Sequence, residues 1–176
     1  MKQNAAKIAI LVSKFNQDIT EALYAGAQYV LKHSTYATNV ERIDVPGAFE
    51  LPIVAQNILL QSDYLGAIAL GAVIRGETPH FDYVCQATAC GIMQVSLSTG
   101  KPVTFGVITA DHYTQAKARA SDLILQRSAD KKIAHPMPDQ DKKTSRDTSN
   151  ISHANTSNKG VEAAEAFMAI LPQFNR

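Results

Sequence analysis

A chain of 176 residues, 45% hydrophobic and 19% charged, has the length of one domain and an ordinary globular composition. Its formal net charge of +1 gives no general electrostatic attraction to nucleic acid or to a membrane surface. The longest apolar run, Leu65 to Ile74, is too short to cross a bilayer, and the opening MKQNAAKIAILVS shows no separate apolar leader, so a cytoplasmic protein is expected.

Strand-like and helix-like segments alternate along the chain. Lys7–Ser13 reads as a buried strand. Asp18–Lys32 reads as a helix, with Ile19, Leu23, Ala27, Val30 and Leu31 near helical spacing. Val40–Val45 is a second strand, closed by Pro46-Gly47, and Ala48–Leu60 a second helix. Leu65–Ile74 is a third strand, apolar enough to be covered on both faces. Thr78 then reads as an N-cap with Pro79 at the first helical position, and that helix runs to about Ser98, where Gly100 stops it. Pro102–Thr109 is a fourth strand, and the next helix starts at Asp111 or Thr114. Asp130–Ser157 is rich in Ser, Thr, Asn, Asp and Lys and is expected to form a flexible surface insertion within a single domain spanning 1–176. A last helix covers roughly Asn158–Ile170.

This order predicts an α/β protein, an open parallel sheet with helices on both faces. Such sheets bind ligands at the carboxyl ends of their strands, which gives a position test for candidate residues. The test selects three loops: Ser13–Asn16, Asp44–Glu50 and Gly71–His80. At a helix N-terminus free N–H groups and the macrodipole attract anions, so Thr78 and His80 would stand beside a bound phosphate, with His80 suited to proton transfer near neutral pH. The plain alternative is a simple cap and a surface histidine. Phe15 is either a platform for a planar heterocycle or a packing residue. Pro46–Glu50 is either a set of amides and a carboxylate facing a polar ring or an ordinary turn. Arg75 is a phosphate ligand or, as preferred here, an ion-pair partner. Arg119 reads by itself as a solvated helix residue, and Phe105 lies within a strand rather than at its end. His33, His112, His135 and His153 read as surface residues. Cys85 and Cys90, five apart on one helix, point to different faces and are not expected to bridge; no metal-ligand spacing occurs.

Several strings in order resemble the lumazine synthase family: SKFN at 13–16, VPGAFELP at 45–52, GAVIRGETPHFDYV at 71–84, PVTFGVIT at 102–109, QAKARA at 115–120 and NKGVEAA at 158–164. The resemblance implies a flavodoxin-like three-layer α/β/α sandwich with a central four-stranded parallel sheet. It implies a homopentamer with active sites between subunits and a functional link to riboflavin synthase. It implies a transferase of riboflavin biosynthesis that condenses 5-amino-6-(D-ribitylamino)uracil with 3,4-dihydroxy-2-butanone 4-phosphate. On that pattern Phe15 stacks on the pyrimidine, Ala48, Phe49 and Glu50 hold its polar groups, and Ala72, Val73 and Ile74 contact it through backbone. Glu77 and Thr78 lie at the phosphate, and His80 moves protons. Phe105 and Arg119 serve the adjacent subunit's site. Neither a metal nor another cofactor is called for, and no nucleic acid or membrane partner.

The chain departs from the pattern in one place. Arg119 and Lys159 stand 40 positions apart where the family passes from one motif to the next within a few residues, and Ser121 replaces a glycine. Lys159 is the expected phosphate-side lysine, with Lys131 or Lys132 as substitutes. The insertion lies where family pentamers meet in sixty-subunit shells, so a pentamer or a pair of pentamers is expected instead. Two other functions compete: a riboflavin synthase of the archaeal type, and a flavin- or lumazine-binding protein without turnover.

Overall fold

The computed structural model describes residues 6–34, 39–121 and 158–174. The expected insertion at 130–157, with Lys131, Lys132, His135 and His153, lies outside the described residues. Four parallel strands, β1 (Lys7–Ser13), β2 (Val40–Val45), β3 (Tyr64–Ile74) and β4 (Val103–Ala110), form one sheet in the order β2-β1-β3-β4. Helices α1 (Gln17–Lys32), α4 (Tyr113–Arg119) and α5 (Lys159–Ile170) cover one face, and α2 (Leu51–Leu59) and α3 (His80–Thr99) the other. This is the three-layer flavodoxin-like arrangement, and its strand order reverses direction between β1 and β3.

Period-two alternation builds both cores from the same strands. Ile8, Ile10, Val12, Ile68, Leu70 and Ile108 face α1, α4 and α5, whereas Ala9, Leu11, Ala67, Ala69 and Val107 face α2 and α3. β3 is covered on both sides, as its unbroken apolar run requires. Burying each Leu or Ile of this kind contributes about 1.5–3 kcal/mol. On α1 the residues Ile19, Leu23, Ala27 and Leu31 are buried at the spacing expected, with Val30 at the margin of the same core.

Helix α1 begins one residue early, at Gln17, and the starts of α2, α3 and α4 also differ from the expectation. The segment 48–60 is not one helix: a 3-10 turn at Ala48–Glu50 precedes α2. Pro52 causes this, because it has no N–H to donate to the Ala48 carbonyl. The turn tightens so that Leu51 N–H bonds that oxygen, and the Thr88 hydroxyl on α3 adds a second bond at 3.2 Å. α3 begins one residue late, with Pro79 at the cap and His80 first, so Thr78 is not a cap. α4 begins at Tyr113, and Gln115 Oε1 accepts from Asp111 N and His112 N. His33 and His112 are exposed, and Cys85 and Cys90 are free thiols, as expected.

The two ends of the interruption meet. Asn158 is 2% exposed and caps α5 by accepting from Gly160 N and Val161 N. Its Nδ2 donates to Ala22 O at 3.0 Å and to Ala120 O at 3.2 Å. α5 seats tightly on α1 because Gly160 has no side chain: a Cβ there would stand 1.9 Å from Leu23 O. The last helix therefore occupies its place in the layer whatever the sequence distance from Ala120. Among the described residues no helix is long and apolar enough to cross a membrane.

Candidate active site

The carboxyl ends of β1 and β3, where the strand order reverses, open into a cleft of about 400 Å³. It is lined by Phe15, Gly47, Ala48, Phe49, Glu50, Ala72, Val73, Ile74, Gly76, Thr78, His80, Phe81 and Val84. Each group reaches it for a local reason. Phe15 follows β1, and the next residue, Asn16, takes a left-handed backbone (φ 57°) that turns the chain into α1. Asn16 Nδ2 donates to Ala72 O at 3.0 Å and ties this turn to β3. Phe15 is left 70% exposed at the rim. The Glu50 carboxylate folds back toward Gly47, where a Cβ would stand 3.0 Å from Oε2. Ala72, Val73 and Ile74 are the last residues of β3 and form the floor.

His80 is the first residue of α3, exposed, with no hydrogen bond to a described residue. The free N–H groups of that first turn lie next to Thr78 and His80, an arrangement suited to an anion. His80, Val84 and Thr88 follow at four-residue spacing along α3, two of them in the cleft and the third beneath it on the Ala48 carbonyl.

Four residues expected at the site lie outside this cleft. Glu77 is exposed between Gly76 and Thr78 without joining the lining. Phe105 stands on β4, 43% exposed. Arg119 lines a second cavity of about 360 Å³ with Phe81, Thr109, Ala110, Asp111 and Gln115. Its Nη1 donates to Gln115 O at 3.2 Å, and it forms no ion pair among the described residues. Lys159 pairs with Glu162 at 2.5 Å and lines neither cavity. Arg75 is an ion-pair partner: Asp82 and then Asp111 hold its guanidinium above the ordinary value. Burial pushes the Cys85 thiol up, away from the reactive thiolate form. Among the described residues no three His, Cys, Asp or Glu side chains converge to hold a metal ion.

The model of the 6,7-dimethyl-8-ribityllumazine synthase family matches residues 5–135, which carry the whole cleft. The chain belongs to that family. Relatives bearing the same name include one from Lactiplantibacillus plantarum, 46% identical over 128 residues, which are 72% of this chain and 80% of the relative. Others come from Salinibacter ruber, 47% identical, and Desulfovibrio desulfuricans, 45% identical, each over 115 residues, 65% of this chain and 74% of the relative. The lumazine synthases are transferases, and family membership rests on sequence independent of the cleft geometry. α5 lies beyond the matched span, yet it packs as an integral helix of the layer.

Three residues at the cleft were missed in the sequence. Asn16 and Thr88 act through carbonyls of the lining, and Phe81 is the wall common to both cavities. Thr88 carried a readable signal, a polar residue on the buried face of α3 that holds Ile92 and Val95. Phe81 carried none beyond its neighbour His80.

Proposed function

We propose that the chain forms 6,7-dimethyl-8-ribityllumazine from 5-amino-6-(D-ribitylamino)uracil and 3,4-dihydroxy-2-butanone 4-phosphate, releasing phosphate and two waters, in riboflavin biosynthesis. The observation that carries this reading is one cleft that brings together an exposed ring, a carboxylate, an exposed imidazole and the start of α3, in a member of this family. Phe15 stacks on the pyrimidine, with Glu50, Ala48, Phe49 and the β3 carbonyls on its polar edge. Glu77 and Thr78 lie at the phosphate, which the Thr78 hydroxyl and the α3 N–H groups receive. The substrate amine attacks the ketone and an imine forms with loss of water. A proton leaves the adjacent carbon, and the electron pair expels phosphate. The enol takes up a proton, and the ribitylamino nitrogen closes the ring with loss of the second water. His80 carries protons in these steps, and the protein otherwise acts by holding two reactants together.

Phe105 and Arg119 stand apart from the protomer's own cleft, and this supports a homopentamer in which each protomer completes its neighbour's site. The outer face of α3 supports the same assembly, since Met93 and Leu97 are exposed in a shallow apolar groove there. In this reading the 130–157 insertion keeps the assembly at a pentamer or a pair of pentamers, 1–176 acts as one unit in the cytoplasm, and the product passes to riboflavin synthase. Lys159 stays a secondary candidate for the phosphate.

The test mixes purified protein with both substrates and follows lumazine absorbance and phosphate release. Equimolar lumazine and phosphate are expected. Binding without turnover would overturn the reading, and a megadalton particle in light scattering would overturn the assembly proposal.

A further inference from the structure

Arg75 immediately follows β3, and its backbone N–H donates to Ala110 O at 2.9 Å, carrying the sheet ladder one bond past the strand. Its side chain joins two other segments. Nε donates to Asp111 Oδ1 at 2.7 Å, in the turn between β4 and α4. Nη1 and Nη2 donate to the two oxygens of Asp82 at 3.0 and 2.8 Å, in the first turn of α3. The guanidinium carbon lies 4.1 Å from the centroid of the Phe81 ring. Phe81 separates the His80 cleft from the Arg119 cavity. Beyond Asp111 the links continue: Asp111 N donates to Gln115 Oε1, and Arg119 Nη1 donates to Gln115 O. A bonded series thus runs from the helix turn of His80 to Arg119.

Two magnitudes decide what this series does. The side chains of Arg75, Asp82 and Asp111 are 40%, 58% and 60% exposed, and ion pairs so exposed contribute at most about 1 kcal/mol. The cluster is a poor device for stability. A forked guanidinium with a third bond and a ring beneath it is, however, fixed in direction. One cation with two carboxylates also carries a formal charge of −1, which disfavours a phosphate at Arg75.

We propose that Arg75 is a positioning residue: it ties the first turn of α3 to the β4–α4 turn and rests on Phe81, and so sets where His80 stands in its cleft and where Arg119 stands behind the Phe81 wall. It touches no substrate. The inference rests on the reaction assigned above for its kinetic test and on geometry alone for its spectroscopic one.

Arg75→Lys keeps the charge, but one ammonium cannot hold both carboxylates and cover the ring. In the intact assembly kcat is expected to fall about tenfold or more, with KM for the pyrimidine within about twofold and any rise in KM for the phosphorylated ketone accompanied by that fall in kcat, because small displacements at a reacting centre are costly. The Tm should stay within a few degrees. Asp111→Asn should reproduce part of the loss, and the double variant should lose no more than the worse single one. Asp111→Asn removes one carboxylate charge, its amide oxygen still able to accept from Arg75 Nε, and carries the same test if Arg75→Lys does not fold. Without substrate, the NMR resonances of the His80 and Phe81 rings should shift in either variant. A raised KM for the phosphorylated ketone at unchanged kcat would reveal a phosphate ligand instead. A lowered Tm with unchanged kcat would reveal a structural residue, and either result overturns the proposal. If the wild-type protein makes no lumazine, the reaction reading fails separately, and unmoved His80 and Phe81 resonances then overturn the positioning claim.

Discussion

The two ends of the sheet are built on opposite terms. At the amino ends of the strands, polar side chains satisfy one another. Lys7 pairs with Glu41 and Asp63, Tyr64 Oη donates to Glu41 at 2.7 Å, and Lys101 donates to the carbonyls of Leu59 and Gln61. At the carboxyl ends, Glu50, Thr78 and His80 make no side-chain hydrogen bond to a described residue, and Phe15 and Phe49 stand 70% and 59% exposed. The bonds beside these groups hold the chain that carries them, through Asn16 on Ala72 O, Thr88 on Ala48 O and the pairs of Arg75 with Asp82 and Asp111. A binding end keeps its functional groups free for a ligand and fixes the chain that carries them. The other end uses its functional groups up.

Breaking the free end should change turnover with little effect on stability. His80→Ala should lower kcat by about a hundredfold or more, the scale of a lost proton carrier, with Tm and pyrimidine affinity nearly unchanged. Steady-state kinetics beside a pyrimidine titration checks this; unaltered kcat removes His80 from the chemistry. Arg119→Ala should raise KM for the phosphorylated ketone roughly tenfold to a hundredfold, the worth of a charged hydrogen bond. If kinetics show no change, another basic group takes the phosphate.

The supporting bonds should respond on both scales, more weakly. Thr88→Val leaves the Ala48 carbonyl with one donor and is expected to cost about 1 kcal/mol, read as a Tm lower by roughly 2–4 °C. KM for the pyrimidine should rise severalfold as the turn at 46–50 loosens, and a fall in Tm without that rise would confine Thr88 to stability. The smallest effect belongs to the opposite end. Tyr64→Phe should lower Tm by a few degrees at neutral pH and leave kcat untouched. Tyr64 first, and Lys7 second, hold the Glu41 carboxyl below the usual carboxylate range. A depressed carboxyl stabilises the fold above its ordinary value, about 4.3, and that contribution fades as pH falls. The Tm gap between Tyr64→Phe and wild type should therefore narrow on acidification, and thermal melts across pH that show a constant gap would refute the link.

Sequence pattern revealed most of the fold because the signals were local. The buried apolar run of Lys7–Ser13, the apolar run to Ile74 and the stop at Gly100 each act within a few residues. The breaks came where a distant or missing partner decides the matter. Pro52 lacks the donor that a continuous helix from Ala48 needs, and Thr88, 40 positions away, supplies one of the bonds in its place. At the site, the position test found Phe15, Glu50 and His80 because strand ends are visible in sequence. Thr88 and Phe81 escaped it, and Asn16 lay in a selected loop without being given a role, since their work lies in contacts across the sheet and between cavities. The resemblance to a family supplied the duty proposed for Phe105 and Arg119 in a neighbouring protomer's site, which one protomer cannot display.

Asn158 has a consequence for how the chain holds together. It lies between Ala22 and Ala120 and starts a helix whose Phe167, like Leu171 just past its end, is fully buried. Covalent continuity across residues 121–158 is thus redundant for the docking of that helix. A protease nick there is expected to yield two fragments that migrate as one native species and separate only in denaturant.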